Sequence, residues 1–220
     1  MPKQTFLNLP VEKRTQIVDA AVEEFAKHGL DNASTNRIIA NSDISKGSFY
    51  QYFEDKHDVF DYLVTLLGEE KQIYFASKRP PDGNMDTFGY YHWIIKVGME
   101  FNSSNPRLVQ AVSRVLLNEG AYYGKKFEKY RNQTTEALRT MIEQAMQNGE
   151  VDPSIDVEIA VMVMETWTNA ISTYFLREGM QQDDIMAWIR SPKTQEKIDK
   201  LLYVMEYGLR KTESHFETTL

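Results

Sequence analysis

Apolar positions in this chain recur at helical spacing almost throughout. Between Pro10 and His28, residues Ile17, Ala21, Val22 and Phe25 fall at steps of four, one and three. Pro10 suits the first helical turn and Gly29 the stop, so a helix is expected over 10–28. Ser34 and Thr35 carry N-cap chemistry ahead of 36–41, where Ile38 and Ile39 provide the buried side of a short second helix. Ser42-Asp43-Ile44 breaks that pattern, and Ser45 or its neighbour caps a third short helix reaching about Tyr52. Glu54-Asp55 then interrupts before a long helix over 56–78. Beyond the breaker Arg79-Pro80-Pro81-Asp82-Gly83-Asn84, the spacing predicts helices near 86–103, 107–118, 121–147, 156–178, 183–190 and 194–212. No segment alternates as a strand does, and no internal repeat is present, so the predicted fold class is all-α. Short helices with tight turns give way to long ones after Lys56, which divides the chain into a 1–56 domain and a 57–220 domain.

The segment after the first break does not read as a buried helix, because Phe49, Tyr50, Tyr52 and Phe53 cannot all face one core. Helix 36–41, a three-residue turn and a helix over about 45–52 have the dimensions of a DNA-binding helix-turn-helix. Phe49 and Phe53, four apart, anchor the second helix inward. Lys46, Gly47, Ser48, Tyr50, Gln51 and Tyr52 are left for the outer surface. DNA phosphates accept hydrogen bonds from tyrosine, serine and threonine hydroxyls, from lysine ammonium groups and from backbone N–H groups at helix N-termini. Gly47 allows close backbone approach, Gln51 suits bidentate pairing with an adenine edge, and Lys56 is placed to grip a flanking phosphate. The candidate DNA-contacting set is therefore Thr35, Ser45, Lys46, Gly47, Ser48, Tyr50, Gln51, Tyr52 and Lys56.

The stretches IVDAAVEEFAKHGLDNAST and RIIANSDISKGSFYQYFEDKHDVF resemble the DNA-binding domain of the TetR family of bacterial one-component regulators. Ile17, Ala20, Ala21, Phe25 and Gly29 match the first helix of the family pattern, and Ile39 and Ala40 match the second. Ser45, Lys46, Gly47, Tyr50, Tyr52, Phe53 and Lys56 match its recognition segment and the start of the next helix. Ser42-Asp43 replaces the usual Ala-Gly of the turn, and Asp tolerates left-handed geometry better than most residues. Gln51 occupies a position that varies in the family.

Charge changes the picture. The chain is 220 residues long with a net charge of −7, of which residues 1–56 carry −1 and residues 57–220 carry −6. With no basic domain, operator binding has to come from individually placed donors on a dimer. The acidic remainder lowers nonspecific binding, which rests on phosphate neutralisation. The absence of cysteine removes disulfides, thiolate zinc sites and thiol nucleophiles. MPKQTFLNLPVEKR lacks the apolar region of a secretory signal, and no run approaches a membrane span, so a soluble cytoplasmic protein with no membrane partner is expected. His28, His57, His92 and His215 lack metal-ligand spacing. GAYYGKK at 120–126 is one residue short of a phosphate-binding loop and follows no strand. No catalytic residue, metal or cofactor is expected.

For the larger part the resemblance implies a ligand-binding and dimerisation domain. Ala160, Met164, Trp167, Ile171 and Tyr174 form one apolar stripe, and Ile198, Leu202, Met205 and Leu209 another. Two stripes doubled by symmetry would build a four-helix dimer interface with Met164, Ile171, Tyr174, Leu202, Met205 and Leu209 at its centre, the competing reading being core. Trp93, Glu100, Tyr122, Tyr123, Phe127, Tyr130 and Trp167 are the candidate pocket, in which Glu100, Glu119 or Glu165 would face a cationic group. The resemblance implies a homodimeric repressor on double-stranded operator DNA, released when a small apolar or amphipathic effector moves the helix starting at 56. A corepressor-dependent regulator and a helical interaction module without operator binding are the alternatives.

Overall fold

The computed structural model describes the backbone of residues 1–80, 85–118 and 120–210, with the side chains of 116–131 and 133 outside the described residues. Among the described residues all the regular elements are helices, with an isolated bridge between Val151 and Arg210 besides. It divides into two compact units, residues 1–77 with 105–126, and residues 78–104 with 127–220.

The first unit opens with a short helix that periodicity did not predict, α1 (Gln4–Leu7), followed by α2 (Val11–His28), α3 (Thr35–Asn41), α4 (Lys46–Tyr52) and α5 (Lys56–Ala76). Gly29 ends α2 with φ of 69°, the left-handed geometry that favours glycine, and Pro10 sits one position outside the helix, at its N-cap. Asp55 caps α5 by accepting from the His57 and Asp58 amides at 2.8 and 3.0 Å. Phe25, Phe49, Phe53, Phe60, Ile17, Ile38 and Leu63 form the core, with the Phe25 and Phe60 rings edge to face at 5.5 Å.

This unit also contains α7 (Pro106–Asn118), so the compact body extends well past the expected boundary at residue 56. Leu108, Val109, Ala111, Val112 and Val115 make one buried face that packs on α2 and α5. The Arg114 guanidinium donates to the Ala26 and Lys27 carbonyls at 3.0 and 3.1 Å, closing the C-terminal end of α2. Periodicity predicted a helix over 107–118 but carried no information about which partner it meets.

The second unit is built from α6 (Thr87–Ser104), the later part of α8 (Gly120–Gln147), α9 (Val157–Gly179), α10 (Ile185–Arg190) and α11 (Pro192–Leu209). Gly149, with φ of 76°, stops α8 in a Schellman arrangement: its own amide reaches Met146 O at 3.0 Å, and the Glu150 amide reaches Ala145 O at 2.8 Å. Asp156 and Ser191 cap α9 and α11, and Pro192 opens α11.

The expected interface residues require a correction. Met164, Ile171, Leu202, Met205 and Leu209 are buried inside this unit's own core, against Phe88, Ile95, Met99, Ile142, Ala160 and Ile198, and leave no surface for a partner. Tyr174 is half-buried, with the Lys197 ammonium 4.4 Å from its ring centroid. The apolar stripes are real, and they are intramolecular. What α9 and α11 leave exposed is a different set: Ile159, Met162, Tyr203, Val204 and Tyr207.

Candidate nucleic-acid interface

The turn between α3 and α4 is made by the two residues that depart from the family pattern. Asp43 adopts φ of 47°, the left-handed geometry expected of it. Ser42 is fully buried, and its hydroxyl donates to Ile38 O at 2.7 Å, so no polar atom is stranded in the core. The Lys13 ammonium donates to Ser42 O and Asp43 O at 3.2 and 2.9 Å, placing a positive charge where the carbonyls of α3 emerge. At the other end of α3, Ser34 makes no side-chain cap; its amide goes instead to Glu24.

Glu24 is the functional-region residue that sequence reasoning missed. Its carboxylate is buried and accepts from the Ser34 amide at 2.7 Å and from Arg37 Nε and Nη2 at 2.9 and 2.5 Å. Burial alone would raise its pKa, but the hydrogen bonds and charge of Arg37, with the Ser34 amide, outweigh it and hold the carboxyl below its ordinary value. Arg37 also donates to Asn32 O at 2.8 Å, so one ion pair ties α2, the following loop and α3 together. The signal was available, since Glu24 lies one turn from Ala20 and two from Ile17 on the apolar side of α2.

Within α4, Ser45 caps the helix by accepting from the Ser48 amide at 3.0 Å, and the two hydroxyls lie 2.8 Å apart. Phe49 and Phe53 are buried, their rings 5.8 Å apart, and Tyr50 stands edge-on to Phe49 at 5.4 Å. Ser45, Lys46, Gly47, Tyr50 and Gln51 are exposed, while Ser48 and Thr35 are half-buried. Among the described residues, the Lys46 ammonium, the Tyr50 hydroxyl and the Gln51 amide have no hydrogen-bond partner. A Cβ added at Gly47 would meet only Ser45 Oγ, at an ordinary 3.7 Å, and Gly47 is not at positive φ. The fold itself places no demand for glycine there.

Two residues of the expected set are placed differently. Lys56 points its ammonium at the loop before α3, donating to Asp31 O at 2.8 Å and Ala33 O at 3.3 Å, so it acts as a tie within the unit. Tyr52 is half-buried with its ring 6.1 Å from Phe6, because α1 covers the face that was expected to be open.

Of the expected pocket residues, the structure describes the side chains of Trp93, Glu100 and Trp167. Trp93 stacks on Tyr90 at 5.6 Å, and Trp167 Nε1 donates to Leu201 O at 3.0 Å. Glu100, expected to be open to a cationic group, already faces Lys78 at 3.1 Å and Arg190 at 3.5 Å. Glu165 accepts from the Thr135 hydroxyl. Glu119 and the side chains of Tyr122, Tyr123, Phe127 and Tyr130 lie outside the described residues. Among the described residues no cluster of metal-ligating side chains occurs, and no helix is long and apolar enough to cross a membrane.

The family model for bacterial regulatory proteins of the tetR family matches residues 17–63, and that for the tetracyclin repressor-like C-terminal domain matches residues 85–210. A fatty acid metabolism regulator protein of Bacillus subtilis is 24% identical over 80% of this chain and 89% of its own length. An HTH-type transcriptional repressor of Streptomyces coelicolor is 31% identical over 52% of this chain, a match spanning 53% of that protein. The crystal structure of a TetR family transcriptional regulator from Chloroflexus aurantiacus superposes with a TM-score of 0.83 at 30% identity, covering 96% of this chain and all of that one. The FadR regulator of Bacillus subtilis, solved in complex with stearoyl-CoA, shares the fold at a TM-score of 0.62 and 16% identity over 88% of this chain and 98% of its own. With a helix-turn-helix whose turn is made by Ser42 and Asp43, and with family models matching residues 17–63 and 85–210, this chain belongs to the TetR family of bacterial transcriptional regulators.

Proposed function

We propose that the protein is a homodimeric repressor whose α4 reads a palindromic operator and which a small apolar or amphipathic molecule releases. The observation that carries the DNA-reading part is the outer face of α4. Lys46, Tyr50 and Gln51 are exposed there without partners among the described residues, beside a glycine the fold does not need. Gly47 leaves room for the helix to approach the phosphate backbone, Lys46 and Tyr50 contact phosphates, and Gln51 pairs with a base edge. Thr35, Ser45 and Ser48 supply further hydroxyls at the N-terminal ends of α3 and α4. Lys56 and Tyr52 support the set by holding the loop and the helix in place.

Half-sites one helical turn apart, about 34 Å, require two recognition helices. The exposed Ile159, Met162, Tyr203, Val204 and Tyr207 of α9 and α11, helices that pack on each other, support dimerisation through this face. For the effector, the similarity to a fatty acid metabolism regulator and the stearoyl-CoA held by a protein of the same fold favour a molecule with a long acyl chain. Its binding selects a conformation of the dimer in which the two α4 helices no longer span the half-sites.

Selection of bound sequences from random DNA tests this reading. The wild-type protein is expected to enrich a palindrome, and Gln51→Ala to relax one position in each half-site. Failure of the wild type to enrich any sequence would sink it.

A further inference from the structure

The C-terminal end of α4 is closed by residues from the beginning of the chain. A helix leaves its last four carbonyls without partners, here those of Phe49, Tyr50, Gln51 and Tyr52. The Phe53 amide takes the first at 2.9 Å. The other three are taken from more than forty residues upstream. Lys3 Nζ donates to Tyr50 O at 3.0 Å, the Thr5 hydroxyl to Gln51 O, and the Lys3 amide to Tyr52 O at 2.8 Å. Between these bonds Phe6 of α1 is completely buried, its ring 4.7 Å from Phe53, 5.2 Å from Tyr62 and 6.1 Å from Tyr52.

We infer that residues 3–6 form a clamp that positions the recognition helix for operator binding, with Lys3 and Thr5 as positioning residues and Phe6 as the anchor. Two physical arguments carry this beyond ordinary capping. A seven-residue helix is far below the length at which helices hold themselves together, so its last turn keeps its geometry only through what is bonded to it. That last turn carries Tyr50 and Gln51. The C-terminal end of a helix also carries partial negative charge, which next to DNA is repulsive, and the Lys3 ammonium sits against it in a chain with no basic excess of its own. The clamp thus holds the reading side chains in register and offsets the unfavourable end of the helix dipole, bonding to the helix at three backbone carbonyls while Phe6 packs on Tyr52.

The inference rests on the DNA-reading role proposed for α4, and the experiment separates the two. The double variant Lys3→Met, Thr5→Val keeps Phe6, and both side chains are exposed, so the core is untouched. Amide hydrogen exchange, which needs no DNA, is expected to accelerate about tenfold in the last turn of α4 and to stay unchanged in α2. Affinity for the operator selected by the wild type is expected to fall about tenfold, with little change on random DNA, and Lys3→Arg alone is expected to bind as the wild type does. The salt dependence of operator binding stays the same in Lys3→Met if Lys3 acts through the helix. A slope shallower by about 2, one phosphate for each protomer, would assign Lys3 to a phosphate and overturn the positioning role. Unchanged exchange in the double variant would overturn the clamp, as would wild-type operator affinity in that variant. A wild type that selects no DNA sequence would defeat the DNA-reading role, leaving the exchange measurement to decide whether the clamp exists.

Discussion

Among the described residues, the exposed tyrosine of α4 and those of α11 stand in opposite surroundings. Tyr50 on α4 is 44% exposed and stands among Lys46, Ser48 and Gln51, a surface of hydrogen-bond donors with one small gap at Gly47. Tyr203 and Tyr207 on α11 are 60% and 65% exposed, and stand with Val204 and, on α9, Ile159 and Met162. A tyrosine offers a hydroxyl and a large apolar ring, and the company decides which is used. Around Tyr50 the surface suits a polyanion that accepts hydrogen bonds. Around Tyr203 and Tyr207 it suits a second apolar surface, and the same residues are of little use to phosphates.

The comparison breaks most visibly if the α11 surface is charged. Val204→Asp with Tyr207→Asp is expected to give a folded monomer in sedimentation and to weaken operator binding at least about a hundredfold, since each half-site is then bound alone. Gln51→Ala on the α4 side is expected to cost about 1–3 kcal/mol on the preferred base pair, read as lost discrimination at one position of each half-site. Gly47→Ala separates fold from reading: thermal stability should stay level or rise by up to about 1 kcal/mol, as for any Gly to Ala change within a helix, while operator affinity drops about tenfold. Equal binding by that variant would remove the reason given for the glycine.

The smallest effect concerns acid. His92 on α6 is pushed below its ordinary pKa, first by burial and further by Lys96, against the opposing charges of Glu206, Asp199 and Asp86. Glu206 lies 3.3 Å from its Nε2 without hydrogen-bond geometry and is itself bonded to Arg210 at 2.7 Å. A histidine held neutral in the fold binds fewer protons than in the unfolded chain. Its contribution is therefore complete above about pH 6.5 and is lost as pH falls from there through the lower folded value. Denaturant titrations should show stability falling across that window by at most about 1.4 kcal/mol per pH unit, and His92→Gln should flatten the slope.

What was legible in the sequence follows from how local each feature is. The turn at Asp43, the Ser45 cap, the inward pair Phe49 and Phe53 and the stop at Gly29 each depend on residues within four positions, and each is where the pattern placed it. Helix α1 was missed because four residues hold barely one turn and give no period to detect; only Phe6 hinted at it. The expected interface residues were misplaced for a different reason. A helix such as α11 has an apolar stripe toward its own core and a second apolar set outside it, and spacing alone assigned Leu202 and Met205 to the interface when Tyr203, Val204 and Tyr207 are the exposed ones. Lys56 was read by charge, while its bonds to Asp31 O and Ala33 O depend on a loop folded beside it.

A few placed donors on α4, with no basic field around them, are proposed to carry operator binding in a chain of net charge −7. The most direct test is the salt dependence of operator affinity for the wild type and for Lys46→Ala. The expected wild-type slope of log K against log salt is modest, about −2 to −4 for the dimer, and Lys46→Ala should make it shallower by about 2, one phosphate for each protomer. A slope near zero, or one that Lys46→Ala leaves unchanged, would contradict the claim.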